Sequence, residues 1–203
     1  FEGKEELRQM LLKAPKFGND DDYADELHTF VSQSLQEECA RCKDYFGYPY
    51  EADGSYGSGH LPWGRRGLAS ADGRKTAAPY ADATHSPMMG MDHKGPTAVL
   101  KSIGKDSKPA RLQWSHLTNQ KFMPTFLMGE TEIAKVNTTE NPMLLGCTHI
   151  QFNVVDRDTL LDAQAHPGEY STLMVRVAGY SAYFVHLNKQ VQDEIITRTE
   201  QEL

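Results

Sequence analysis

Long apolar runs are missing. None in the 203 residues approaches the roughly 18 needed to cross a bilayer, and no signal peptide opens the chain, so no membrane partner is expected. Cysteine is scarce: Cys39, Cys42 and Cys147 are too few and too unevenly placed for a disulfide framework, and a reducing cytoplasm is the expected setting. Positive charge is in deficit, with 21 Lys and Arg against 28 Asp and Glu, interspersed to a net charge of -7, so nucleic acid is not an expected partner. The eight histidines show no H-x-x-x-H or comparable spacing, and no metal site is expected. An initiator Met is lacking too. The chain begins Phe1-Glu2-Gly3, which reads as a cut inside a longer protein, or as a processed or partly observed chain.

What is present suits one domain or a large part of one: 39% apolar residues, to which 16 glycines add. EGKEELRQMLLKA reads as a short helix with Leu7, Met10 and Leu11 on one face, stopped by Pro15. Asp20 to Asp22 supply capping carboxylates for a helix over Tyr23 to Tyr45, with Leu27, Phe30, Val31, Ser34, Leu35 and Cys39 on one stripe. From Tyr48 to His93 the chain is rich in Gly, Pro, Ser and Asp and reads as a long loop serving a site. A helix starts at Pro96, and HLTNQKFMPTFL and THIQFNVVD read as strand-like. DRDTLLDAQAH is an amphipathic helix capped by Asp156 or Asp158; LMVRVAGYSAYFVHL is strand-like; NKQVQDEIITRTEQEL closes the chain as a polar helix. The coarse reading is mixed α/β.

Most candidate motifs have a plain structural explanation. Cys39 and Cys42 form C-x-x-C on a helix, without the strand-to-helix turn or second ligand pair that redox or zinc chemistry needs, so a structural role is the stronger reading. NDDDYADE lacks the ligand alternation and central Gly of a calcium loop, and helix capping accounts for it. GSYGSGHLPWG lacks the GK[ST] ending that cradles phosphate and reads as a flexible loop lining a cavity. Asn137-Thr138-Thr139 fits a glycosylation acceptor with no secretory signal to give it meaning. Gly179 is the exception. A glycine inside a strand costs roughly 0.5–1 kcal/mol relative to alanine, and a bulge, a turn or a close backbone contact is its ordinary cause.

The wider sequence gives it another meaning. HIQFNVVDRDTLLDAQ followed by LMVRVAGYSAYFVHLNKQVQDEIITRTE resembles the C-terminal segment of glycyl radical enzymes, the superfamily of pyruvate formate-lyase. The family pattern R-V-x-G-[YF]-x-A-x-F is met by Arg176, Val177, Gly179, Tyr180, Ala182 and Phe184. KAPKFGNDDDYADEL, ADGRKTAAPYAD and GMDHKGPTAVLKS are similar to the second half of the same enzymes' catalytic α/β barrel. The resemblance implies a second-half barrel segment with long glycine-rich loops over residues 1–125 and a glycyl radical domain over 126–203.

By this resemblance Gly179 is the site of a stored backbone radical. Losing a Cα hydrogen leaves a carbon radical between an electron-donating nitrogen and an electron-withdrawing carbonyl, stabilised when the centre flattens. A side chain would crowd that plane and block the abstracting group. The resemblance further implies no bound cofactor, and activation by a separate enzyme whose iron–sulfur cluster cleaves S-adenosylmethionine. This chain then supplies the acceptor and its burial. Oxygen cleaves the family's backbone at the radical, which implies an anaerobic host. The radical passes to a cysteine in a G-C-x-E type loop, which then attacks a small-molecule substrate. Cys39, Cys42 and Cys147 have no such setting, so the thiyl cysteine is expected outside this chain, in an N-terminal part or a large subunit, and a homodimer is expected. The segment between Phe122 and His149 is shorter than the family's amphipathic helix there. A-G-Y-S-A-Y-F with QDEIITRTE is nearer to the dehydratases, choline and isethionate lyases, arylacetate decarboxylases and arylsuccinate synthases than to pyruvate formate-lyase. NQKF (Asn119 to Phe122) resembles the aromatic-substrate members. Carbon–carbon or carbon–heteroatom cleavage is the implied reaction, with the substrate open. The alternative is a spare-part subunit that rescues oxygen-damaged enzyme.

Overall fold

Prolines and capping acids mark out the helices in a computed structural model that describes residues 1–52, 58–107, 117–127, 149–198 and 200–201. In chain order the elements are α1 (Glu5–Leu12), α2 (Asp22–Arg41), α3 (His60–Arg66), α4 (Pro96–Ser107), β1 (Leu117–Phe122), β2 (His149–Val154), α5 (Arg157–Ala165), β3 (Met174–Arg176), β4 (Ser181–Tyr183), α6 (Lys189–Thr197) and β5 (Glu200–Gln201). The Asp21 carboxylate accepts the Ala24 N–H and starts α2, while Asp156, not Asp158, caps α5 by accepting from Thr159 N–H. Pro96 opens α4 at the one helical position where its missing N–H costs nothing.

Three expectations are corrected, and one helix face is found to turn outward. α2 stops at Arg41 rather than Tyr45, because Asp44 Oδ1 accepts the N–H groups of Phe46 and Tyr48 and folds the chain into a turn. The stripe read as its apolar face is exposed: Leu27, Phe30, Val31 and Leu35 face outward, while Asp25 and Ser32 are buried. The long loop carries a seven-residue helix, α3, against which residues 78–80 pack so closely that a Cβ on Gly64 would lie 2.6 Å from Ala78 O. The closing helix ends at Thr197; Arg198 turns the chain extended and β5 follows.

β1 lies between β2 and β5, parallel to both, with Leu117 opposite His149 and Lys121 opposite Glu200. Three parallel strands do not close a barrel; what the described residues form is a parallel sheet with helices. β1 is buried throughout although Thr118, Asn119, Gln120 and Lys121 are polar. Lys121 Nζ donates to Ile196 O at 3.1 Å, and Ser86 Oγ accepts the Asn119 N–H. In β2 the usual alternation is inverted. Gln151 (2% exposed) and Asn153 (4%) point inward, while Phe152 (44%) and Val154 (48%) point out. The apolar core sits beside this strand, where Leu61, Val155, Leu160, Val175, Val177, Phe184 and Ile195 join α3, α5, the β3–β4 hairpin and α6. A second cluster, Val99, Leu100 and Ile103 with Phe17 and Ile150, seats α4.

Candidate functional site

Gly179 is at the tip of a hairpin rather than within a strand. β3 and β4 pair antiparallel with Arg176 opposite Ser181, and Val177 N–H donates to Tyr180 O at 2.9 Å, which leaves Ala178 and Gly179 as the turn. The φ of Gly179 is +82°, whereas that of Ala178 is not positive. A type II turn requires about +80° at its second central residue. Glycine is therefore demanded by the backbone before any chemistry is considered. A Cβ placed there would meet no atom within 4 Å, so the outer face of its Cα is open.

The inverted face of β2 holds this turn. Gln151 Oε1 accepts the Gly179 N–H at 3.2 Å, the one side-chain bond from β2 to the turn among the described residues. Asn153 clasps Arg176 from both sides, accepting its N–H at 2.7 Å and donating to its carbonyl at 2.8 Å. From the other flank Arg198 donates to the carbonyls of Arg176 (3.2 Å) and Val177 (2.8 Å). Its guanidinium is gripped in turn by Glu194, through Oε1 at 2.8 Å and Oε2 at 3.0 Å, and by Asp82 Oδ2 at 3.0 Å. His60 Nε2 lies 3.7 Å from Glu194 Oε2. All four side chains are buried.

Two carboxylates share one guanidinium, and their environments separate them. For Glu194, burial favours the neutral acid, but His60 and Arg198 outweigh it and hold the carboxyl below its ordinary value. For Asp82 burial wins over Arg198, and its pKa is raised. Arg198 stays a cation: burial opposes its charge, and Asp82 and Glu194 more than offset this.

The structure places the remaining candidates elsewhere. Cys39 and Cys42 lie at the C-terminal end of α2 as free thiols, and the backbone N–H of Cys42 donates to Cys39 O to close the helix. The acidic run caps α2 and also receives Lys105, whose Nζ lies 2.7 Å from Asp20, 2.7 Å from Asp22 and 2.8 Å from Asp25. Cys147, Asn137-Thr138-Thr139 and most of the short segment before His149 lie outside the described residues, as do residues 54–57 of the glycine-rich stretch. The rest of that stretch is not a flexible cavity lining: His60 and Leu61 are buried in α3. One grouping escaped sequence reading. His28, His85 and Asp106, distant in the chain, bring possible metal-ligating atoms within 4.8 Å of one another. Asp106 Oδ2 is 3.1 Å from His85 Nε2 and 3.6 Å from His28 Nδ1, and an ordinary buried carboxylate with two imidazoles describes the group. Burial, then the neighbouring His85, lowers the His28 pKa to about 4. A further correction concerns shielding: Gly179 is exposed although the neighbouring Ala178 is buried, so burial of the residue is not supplied by the described residues.

RVAGYSAYF thus folds as a glycine-tipped hairpin held by buried polar side chains of β2 and by Arg198. Comparison with known proteins gives the family. The glycine radical family profile matches residues 82–185, and that of pyruvate formate lyase-like proteins matches residues 1–64; the chain belongs to the glycyl radical family. It is 39% identical over 203 residues to trans-4-hydroxy-L-proline dehydratase of Clostridioides difficile, with 99% of this chain and 25% of that protein covered. It is 39% identical over 206 residues to isethionate sulfite-lyase of Bilophila wadsworthia, covering 98% of this chain and 24% of that protein. Among solved structures, the glycerol-bound B12-independent glycerol dehydratase of Clostridium butyricum superposes with a TM-score of 0.91 at 36% identity, over 100% of this chain and 26% of that one. The chain thus spans about a quarter of the length of the relatives it matches.

Proposed function

We propose that this chain is the radical-bearing C-terminal part or subunit of a glycyl radical lyase, and that Gly179 holds the radical. The observation that carries the reading is the turn itself: within the family motif, a glycine with an open Cα face and its amide anchored by a buried side chain. In activation an alkyl radical generated from S-adenosylmethionine on a separate activating enzyme removes the Cα hydrogen atom. The C–H bond breaks homolytically, a new C–H bond forms on the deoxyadenosyl carbon, and one electron stays on Gly179. Gly179 then takes the hydrogen atom from the S–H of a cysteine outside this chain, re-forming its Cα–H bond, and the resulting thiyl radical opens a carbon–carbon or carbon–heteroatom bond of a small molecule. Relatives named as a dehydratase and a sulfite-lyase favour elimination across a carbon–oxygen or carbon–sulfur bond. The match of residues 1–64 to the pyruvate formate lyase-like profile favours part of a catalytic enzyme over a spare-part subunit. The exposure of Gly179 fits a chain that relies on further protein to shelter the radical.

The test is electron paramagnetic resonance of the full-length protein after anaerobic activation. A glycine-type doublet is expected and is lost in Gly179→Ala; brief exposure to air is expected to cut the backbone at residue 179, read by mass spectrometry. A parent protein that stays silent under conditions that activate another family member overturns the proposal.

A further inference from the structure

We infer that Gln151 tunes the radical, its side-chain carbonyl setting how far the unpaired electron spreads onto the Gly179 amide nitrogen. The inference rests on the reading of Gly179 as the radical site. After the Cα–H bond breaks, the radical is stabilised by donation from the amide nitrogen, and a bond accepted from that N–H pushes electron density toward the nitrogen and strengthens the donation. Gln151 Oε1, 3.2 Å from Gly179 N, makes that bond. Its orientation is supported: His149 Nε2 lies 3.3 Å from Gln151 Nε2, which keeps the amide's carbonyl end toward the turn.

The contact is not needed to place the hairpin. Asn153 and Arg198 already hold the backbone of Arg176 and Val177 through four hydrogen bonds, and Val175, Val177 and Phe184 are seated in the core. Gln151 alone reaches residue 179 from β2. A polar side chain 2% exposed on an inward position of a strand whose outward positions carry Phe and Val also has little reason to be there for packing.

The experiment compares the full-length protein with Gln151→Met, which keeps length and removes the acceptor, and Gln151→Glu, which supplies a charged one. Each is labelled with 15N-glycine, activated anaerobically and measured by electron–nuclear double resonance. The nitrogen coupling is expected to fall and the α-proton splitting to widen in Gln151→Met, with the opposite shifts in Gln151→Glu. Asn153→Ser is the structural control: it loosens the hairpin and lowers radical yield while leaving both couplings at the parent values. Couplings in the Gln151 variants equal to the parent's, or shifted equally in Asn153→Ser, overturn the inference and leave the radical site standing. If Gln151→Met does not fold, the Gln151→Glu shift alone decides. A silent parent overturns the reading of Gly179 instead.

Discussion

At the scale of the residue, the proposed reading puts two demands on Gly179, and substitution separates them. Its φ of +82° lies where a side chain is strained, so Gly179→Ala is expected to destabilise by about 1 kcal/mol. Gly179→Asn, which tolerates left-handed backbone, is expected to regain most of that stability in thermal unfolding and still give no radical doublet. If Asn restored the doublet, glycine would be serving geometry alone. His28 makes a prediction at the same scale. Its folded pKa of about 4 lies below the ordinary 6.5, so the unfolded chain binds more protons as the pH falls. Its contribution to stability is therefore complete above pH 6.5 and is lost progressively down to about pH 4, to a total of about 3 kcal/mol. His28→Gln is expected to flatten that part of the stability–pH curve measured by urea unfolding. An unchanged slope would rule out His28 as its source.

At the scale of the element, the hairpin is joined to β2 by neutral amide side chains and to the end of α6 by buried charge. Removing Arg198 leaves Glu194 buried without its partner, and Arg198→Met is expected to destabilise by about 3–5 kcal/mol. Arg198→Lys retains the charge but not the fork that spans two carboxylates and two carbonyls, and is expected to fall between. Unfolding midpoints ordered parent, Lys, Met check this; a Met variant as stable as the parent would contradict it. Local rules made some elements legible in the sequence. Pro96 and Asp156 mark helix starts because a cap acts within three residues of itself. The hairpin was not legible, since VRVAGYSAYF satisfies strand preference on both sides of the glycine and only φ reveals a turn. The Arg198 network and the His28–His85–Asp106 group were invisible for a different reason: their members lie from 4 to 116 positions apart and nothing local marks them.

At the scale of the whole molecule, the chain has an apolar side that its own residues leave open. Leu27, Phe30, Val31 and Leu35 on α2 are each more than half exposed, as are Tyr45, Phe46 and Tyr48 in the turn beyond it. Patches of this kind on a soluble chain promote association. Phe30→Ser with Val31→Lys is expected to change stability by no more than about 0.5 kcal/mol, because neither side chain is packed. The same pair is expected to reduce self-association of the isolated chain in analytical ultracentrifugation. A large loss of stability would mean that the face is packed after all. The stripe is legible in the sequence as one helix face. Periodicity reports which residues share a helix face, and says nothing about which way that face is turned.

The guanidinium that secures residues 176 and 177 comes from residue 198, more than twenty positions later in the chain. A ribosome delivers the hairpin before the side chain that secures it. Until residue 198 emerges, Asn153 and Gln151 are the side chains that can hold the hairpin, and the two bonds to the carbonyls of residues 176 and 177 close only afterwards.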